Sequence, residues 1–326
     1  MTDAPPGERF VVCTVCADES DQPPGLDVRL GADAEIRPVF TTAQLRQALP
    51  ESDVVFLWDF RSTRLRDAWT ADSRARWIHV ASAGVEPVLF PELVAEPVTL
   101  TNSRGVFDTA IAEFVLGAML ACAKDFPESL ALQRDGVWKH RETRMVRGST
   151  VLVIGAGSIG RAVAGLVRAV GCRVIGVARS ARTDAHFDRV VSLRELDTEL
   201  AAADYVVVTA PLTDETAGLL GADALGRVKP GAVLINVGRG PIVDDEAVLA
   251  ALDSGRLRAA VLDVFAEEPL PAGHPYWGHP DVLVSAHMCG DFEGFREVLV
   301  DLFVDNFGRW RAGGELRNVV DKERGY

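Results

Sequence analysis

The run VLVIGAGSIGRAVAGLVRAVGCR, residues 151–173, changes periodicity twice. Val151–Ile154 is a continuous apolar strand pattern. GAGSIG is a glycine turn, and the stretch after it places apolar residues at helical spacing. Arg173–Ala178 then reads as a second strand. Gly155, Gly157 and Gly160 have the G-x-G-x-x-G spacing. The hexapeptide alone is weak evidence, but strand, turn, helix and strand in this order meet the context that a dinucleotide-binding turn requires. The first glycine permits the tight turn, the second lets a pyrophosphate approach the backbone, and the third lets helix and strand pack closely. The helix start, at Ser158, Ile159 and Gly160, then turns N–H groups and its dipole toward the phosphate charge. The plainer alternative is a glycine-rich turn that binds nothing.

The same alternation of strand and helix patterns extends along nearly the whole chain. It predicts an α/β fold with parallel sheets. Further strand candidates are Tyr205–Thr209, Ala232–Val237, Ala259–Val264 and Val282–Ser285, all rich in Val, Ile and Leu, as strands covered on both faces are. Asp244–Ser254 reads as a helix with acidic residues at its start and Gly255 after its end. Earlier in the chain, Phe10–Val15, Asp53–Trp58, Trp77–Ala81 and Val98–Thr101 are looser strand candidates. Thr109–Ala123 is a long apolar helix that is expected to bridge two domains or to pack on a partner subunit. The last helical stretch, Glu293–Trp310, has no sheet of its own and is expected to fold back onto the first domain. The predicted organisation is a discontinuous substrate-binding domain, 1–103 and 289–326. An NAD(P)-binding Rossmann domain, 104–288, is inserted into it.

A chain of 326 residues is long enough for two cores. Its 48% hydrophobic and 25% charged residues are those of a globular protein. A net charge of −13 argues against a nucleic-acid partner, which calls for a basic face. No apolar run is long enough to span a bilayer, so no membrane partner is expected. The first ten residues, MTDAPPGERF, do not read as a secretory signal. Five scattered cysteines suit a reducing cytoplasm, and Cys13 and Cys16 lie in an apolar run that favours burial over metal binding.

After the second strand of a dinucleotide-binding unit, an acidic residue commonly takes the ribose hydroxyl. Here Arg179 and Ser180 end that strand and Arg182 follows. A carboxylate would repel the 2′-phosphate of NADP, whereas a guanidinium pairs with it. The expected cofactor is therefore NADP(H), with Arg179 the main determinant; a solvated arginine in a protein using NAD(H) is the alternative.

Three ionisable residues stand at or just past predicted strand ends, where doubly wound sheets bind ligands. They are Arg239 after AVLINVG, Glu268 after AAVLDVFAE and His287 after VLVSA. Together they form a coherent set for reducing a 2-keto acid. The arginine grips carboxylate and carbonyl in a fork. A protonated histidine delivers the proton the carbonyl oxygen needs. A carboxylate bonded to the imidazole orients it and favours its charged form. Spacing alone leaves a duller reading of each: a structural histidine, a surface carboxylate, an arginine on cofactor phosphate.

The chain resembles the D-isomer-specific 2-hydroxyacid dehydrogenase family, which includes glyoxylate/hydroxypyruvate reductases. The likeness rests on VLVIGAGSIGRAVA, TAPLTDETAGLL, LINVGRGPIVDDEAVLAAL, VLDVFAEEPL and VLVSAHMCGD, in that order, with WIHVASAGVE and VTLTNSRGVFDTAIAEFVLGAML before them. The resemblance implies two Rossmann-like domains with doubly wound parallel sheets and an active cleft between them, in a homodimer. It assigns Arg239, Glu268 and His287 the catalytic roles given above. It implies that Ala83 and Gly84, in the loop Ser82–Glu86, hold the substrate carboxylate and that Arg61 reaches the substrate. Pro211, Val237 and Asp263 match cofactor-contacting positions. Trp58 and Trp138 are candidate pocket neighbours, although large aromatics are more often core residues. The family often has proline before the histidine, where this chain has Ala286. The function implied is an NADP(H)-preferring 2-keto acid reductase, of glyoxylate/hydroxypyruvate type. Two alternatives are oxidation of another small anion on the same fold, such as formate or phosphite, and a nucleotide-sensing, corepressor-like binding protein.

Overall fold

A computed structural model describes residues 9–59 and 62–325. The chain divides into two compact units, residues 1–106 with 292–326, and residues 107–291.

The first unit holds five strands: β1 (Phe10–Val15), β2 (Ala34–Val39), β3 (Val54–Leu57), β4 (Trp77–Val80) and β5 (Thr99–Thr101). They lie in the order β2-β1-β3-β4-β5, all parallel. β3 and β4 are buried at every position; β3 is an unbroken apolar run, whereas β4 carries His79 among its apolar residues. β2 escapes that reading. It is an edge strand, largely accessible between its buried ends, and an edge tolerates Pro38. The last helix, Phe295–Arg311, packs on this sheet. The ring of Phe303 stacks on Phe56 at 4.2 Å and on Trp77 at 5.1 Å. Beyond it, the tail returns to the sheet edge at β5: Val319 bridges Thr101 in antiparallel sense, and the Val320 N–H donates to the Leu100 carbonyl at 2.9 Å.

The second unit holds β6 (Thr150–Ile154), β7 (Arg173–Ala178), β8 (Arg189–Ser192), β9 (Tyr205–Val208), β10 (Ala232–Asn236), β11 (Leu257–Leu262) and β12 (Val282–Val284). Their order is β12-β11-β10-β9-β6-β7-β8, again all parallel. The order reverses between β6 and β9, which opens a crevice at their carboxyl ends. The helix after β6, Ser158–Ala169, buries Gly160, Val163, Ala164 and Val167, one stripe at helical spacing. The helix Asp245–Asp253 starts where Asp244 caps it, its carboxylate accepting from the Ala247 N–H at 2.8 Å. It stops before Gly255, whose φ of +70° suits the C′ position.

The helix Asp108–Ala123 packs on Ser158–Ala169 inside the second unit. Its whole length falls in the second unit, which corrects the expectation that it bridges two domains; Ile111, Ala112, Val115, Ala118 and Met119 are buried. Edge strand β8, four residues with accessible ends, was not legible as an apolar run. All five cysteines are buried and free. Among the described residues, no helix is long and apolar enough to cross a membrane.

Candidate active site

β10, β11 and β12 are neighbours in one parallel sheet, so the residues just past their carboxyl ends share one edge. Arg239, Glu268 and His287 occupy those positions. Glu268 and His287 meet: His287 Nδ1 lies 2.7 Å from Glu268 Oε2, with each side chain about one-third exposed. An ionised carboxylate only accepts, so Nδ1 carries the proton. The second oxygen, Oε1, accepts the Phe265 N–H at 2.9 Å, which fixes the carboxylate from its own loop.

His287 is held in a left-handed backbone conformation, φ +51°. For a side chain other than glycine this costs about 1–2 kcal/mol and persists only where neighbours enforce it. Asp263 holds the backbone directly after His287. It is fully buried, and its carboxylate accepts the N–H groups of Met288 at 3.0 Å and Cys289 at 3.1 Å. Asp263, matched to a cofactor-contacting position in the sequence, is thus the residue that pins the chain directly after the histidine. Burial, and the Asp263 carboxylate beside it, push the Cys289 thiol well above its ordinary range.

Arg239 follows a tight polar turn. Its Nη1 donates to the Gly238 carbonyl at 2.8 Å, and Asn236 braces the turn from both sides, donating to the Arg239 carbonyl at 3.1 Å and accepting the Gly238 N–H at 3.1 Å.

The glycine turn after β6 has the shape of a dinucleotide cradle. A Cβ on Gly160 would sit 2.0 Å from the Gly155 carbonyl oxygen, so nothing larger fits there. At Gly157 the same position opens onto empty space, with nothing within 4 Å. One glycine is demanded by packing, and the other leaves bare backbone for a phosphate to approach. This fits a dinucleotide.

The family described as "D-isomer specific 2-hydroxyacid dehydrogenase, NAD binding domain" matches residues 116–289, more than half of the chain. The chain belongs to the D-isomer specific 2-hydroxyacid dehydrogenase family. A glyoxylate reductase from Aeropyrum pernix is 34% identical over 233 residues, 69% of this chain and 70% of the relative. A D-isomer specific 2-hydroxyacid dehydrogenase from Xanthobacter autotrophicus, solved with NADPH and MES, is 30% identical. It superposes with a TM-score of 0.80 over 98% of this chain and 99% of its own. An NADPH-dependent glyoxylate/hydroxypyruvate reductase from Sinorhizobium meliloti, solved with NADP and sulfate, is 26% identical, with a TM-score of 0.83 over 98% of this chain and 100% of its own. This chain is accordingly an NAD(P)-dependent oxidoreductase, a 2-hydroxyacid dehydrogenase.

In this dehydrogenase the basic residues after β7 do not act alike. Arg179 is half exposed and its Nε contacts Glu215 Oε2 at 3.1 Å. Arg182 turns back instead, its Nη2 donating to the Ala156 carbonyl inside the glycine turn at 2.6 Å. Ser180 is exposed. The hydroxyl of Ser158 donates to the Asp108 carboxylate. Pro211 follows β9, where its carbonyl accepts the Thr216 hydroxyl at 2.7 Å, and Val237 is buried past β10. Ala83 and Gly84 follow β4 in the first unit. Arg61 lies outside the described residues. Trp58 is buried, whereas Trp138 is fully exposed and forms no part of a core.

Sequence reading missed Asp263's bonds to the 288–289 backbone and the salt bridge to Glu215. Both pair residues 25 to 36 positions apart. No local pattern signals such pairs.

Proposed function

We propose that the dehydrogenase reduces a small 2-keto acid of glyoxylate or hydroxypyruvate type, preferring NADP(H) to NAD(H). The observation that carries this reading is the 2.7 Å bond between His287 and Glu268 at the edge shared with Arg239. The cofactor, when bound, supplies the hydride for the keto carbon. Arg239 grips the substrate's carboxylate and carbonyl oxygens through its guanidinium fork. As charge grows on the carbonyl oxygen, His287 passes it the proton of Nε2, and Glu268 steadies the imidazolium through Nδ1–H. Such acid catalysis contributes roughly 10²–10⁴-fold. Ala83 and Gly84 of the first unit add N–H donors for the carboxylate.

Ser158, Ile159 and Gly160 hold the pyrophosphate through the helix start. Ser158 does so by its N–H, because its hydroxyl is engaged by Asp108. Pro211, Val237 and Asp263 border the nicotinamide end. Arg179 and Ser180 take the 2′-phosphate, and Arg182 braces the turn from behind while adding charge. The NADP and NADPH complexes of the two solved relatives support this choice. The test is steady-state reduction of a 2-keto acid panel with each cofactor. Wild type is expected to show the higher kcat/KM with NADPH, and Arg179→Ser to lower the NADPH value about tenfold or more while sparing NADH. A higher value with NADH in wild type overturns the preference. Tight cofactor binding without any turnover overturns the substrate reading in favour of a sensor.

A second copy of the chain is the proposed partner. Phe126, Leu130, Val137, Trp138 and Met145 each expose half or more of their surface within one short stretch of the second unit, and grouped exposed apolar side chains are the kind a partner covers. Sedimentation as a monomer at micromolar concentration contradicts this.

A further inference from the structure

We propose that Asn102 and Ser103 are positioning residues that set the loop after β4 so that three successive N–H groups face outward as an anion cradle. The proposal rests on the reading above, that this loop takes the substrate carboxylate.

Three consecutive carbonyls of the loop are each tied down. The Ser82 carbonyl accepts the Ser103 N–H at 2.8 Å. The Ala83 carbonyl accepts Asn102 Nδ2 at 2.6 Å. The Gly84 carbonyl accepts the Ser82 hydroxyl at 2.5 Å. In a trans peptide the C=O and the following N–H point in opposite directions. Fixing these carbonyls therefore turns the N–H groups of Ala83, Gly84 and Val85 away from their anchors. Among the described residues, none of the three donates to another group. Consecutive N–H groups held in this way form a nest for an anion.

The anchors are themselves fixed. Asn102 and Ser103 are buried. The Asn102 amide has only one workable orientation: Oδ1 accepts the Arg104 N–H at 3.3 Å while Nδ2 reaches Ala83. Asn318 brackets Asn102 from the tail, accepting its N–H at 3.2 Å and donating back to its carbonyl at 3.2 Å. Asn318 has φ +57°, and the residue before it is clasped by Asn306, which is fully buried on the terminal helix and both donates to Arg317 (3.1 Å) and accepts from it (2.8 Å). On the other side, the Ser103 hydroxyl donates to the Val80 carbonyl at 2.9 Å and meets His79 Nε2 at 3.3 Å. The loop is thus braced by the end of β5 and, through it, by the C-terminal tail.

The test compares glyoxylate with its neutral methyl ester, NADPH being saturating. Wild type is expected to favour the acid by tenfold or more. Asn102→Asp replaces the donor with an acceptor facing the Ala83 carbonyl. It is expected to raise KM for glyoxylate about tenfold, keep kcat within about threefold, and leave the ester's kcat/KM and the NADPH Kd unchanged. Ser103→Ala keeps the backbone N–H and loses only the hydroxyl; an increase of about threefold in glyoxylate KM is expected. It decides the matter if the Asn102 variant does not fold. Retained acid-over-ester preference in a folded Asn102→Asp protein, or in Ser103→Ala if that is the folded one, overturns the clamp while leaving the loop's role standing. A wild type that does not distinguish acid from ester overturns the loop reading, and the clamp with it.

Discussion

His79 and His287 carry the same imidazole in opposite surroundings. His79 sits on β4, fully buried among the rings of Phe56, Trp77 and Phe303. Its nitrogens meet only hydroxyls, Thr101 at 2.7 Å and Ser103 at 3.3 Å. Because the Ser103 hydroxyl spends its proton on the Val80 carbonyl, Nε2 of His79 donates and Nδ1 accepts from Thr101. Burial pushes this imidazole's pKa down to about 3, and it stays neutral. His287 stands in a loop past β12, about one-third exposed, with a carboxylate on Nδ1. A partner that stabilises positive charge makes a proton carrier; partners that cannot make a structural post. Residue type alone does not separate the two.

That contrast is broken most sharply at Glu268. Glu268→Gln keeps the shape of the side chain and removes the charge. The expected loss in kcat is about 10²-fold, with NADPH Kd unchanged. Turnover at the wild-type level returns Glu268 to the status of a surface carboxylate.

The smaller effect belongs to His79 and appears in stability. The unfolded imidazole titrates near pH ~6.5. The folded one does so at about 3. Between these values the unfolded chain binds the extra proton. The stability His79 contributes is therefore whole above pH ~6.5 and drains away as pH falls, at about 1.4 kcal/mol per pH unit. His79→Gln removes that titration. Denaturant unfolding of the variant between pH 6 and 4 is expected to show a pH slope shallower by about one proton. Equal slopes contradict the neutral, buried assignment.

The sequence exposed the parts of the molecule where physics leaves a local imprint. Strands covered on both faces, such as β6, β9 and β10, are unbroken apolar runs. The glycine turn and the helix Asp245–Asp253 announce themselves by residues that only certain backbone positions favour. Arg239, Glu268 and His287 were legible because each follows a run rich in Val, Leu or Ile, and those runs pair in parallel as neighbours in one sheet, even though β12 is an edge strand. What stayed hidden depends on contacts between distant segments. β2 and β8 are edge strands with accessible positions. Asp263 reads as a strand-end acid, yet its bonds run to residues 288 and 289. Asn102 looks like any loop asparagine until the Ala83 carbonyl is found 2.6 Å from its amide. Trp138 has the composition of a core residue and no core around it.

In the proposed reaction the imidazole at 287 gives the proton that the keto oxygen takes up. The direct measurement is keto-acid-dependent oxidation of NADPH by His287→Ala, alongside its NADPH Kd by fluorescence. The predicted result is a kcat lowered by about 10³-fold with the Kd within about twofold of wild type. Turnover close to wild type, in a protein that binds NADPH normally, contradicts it.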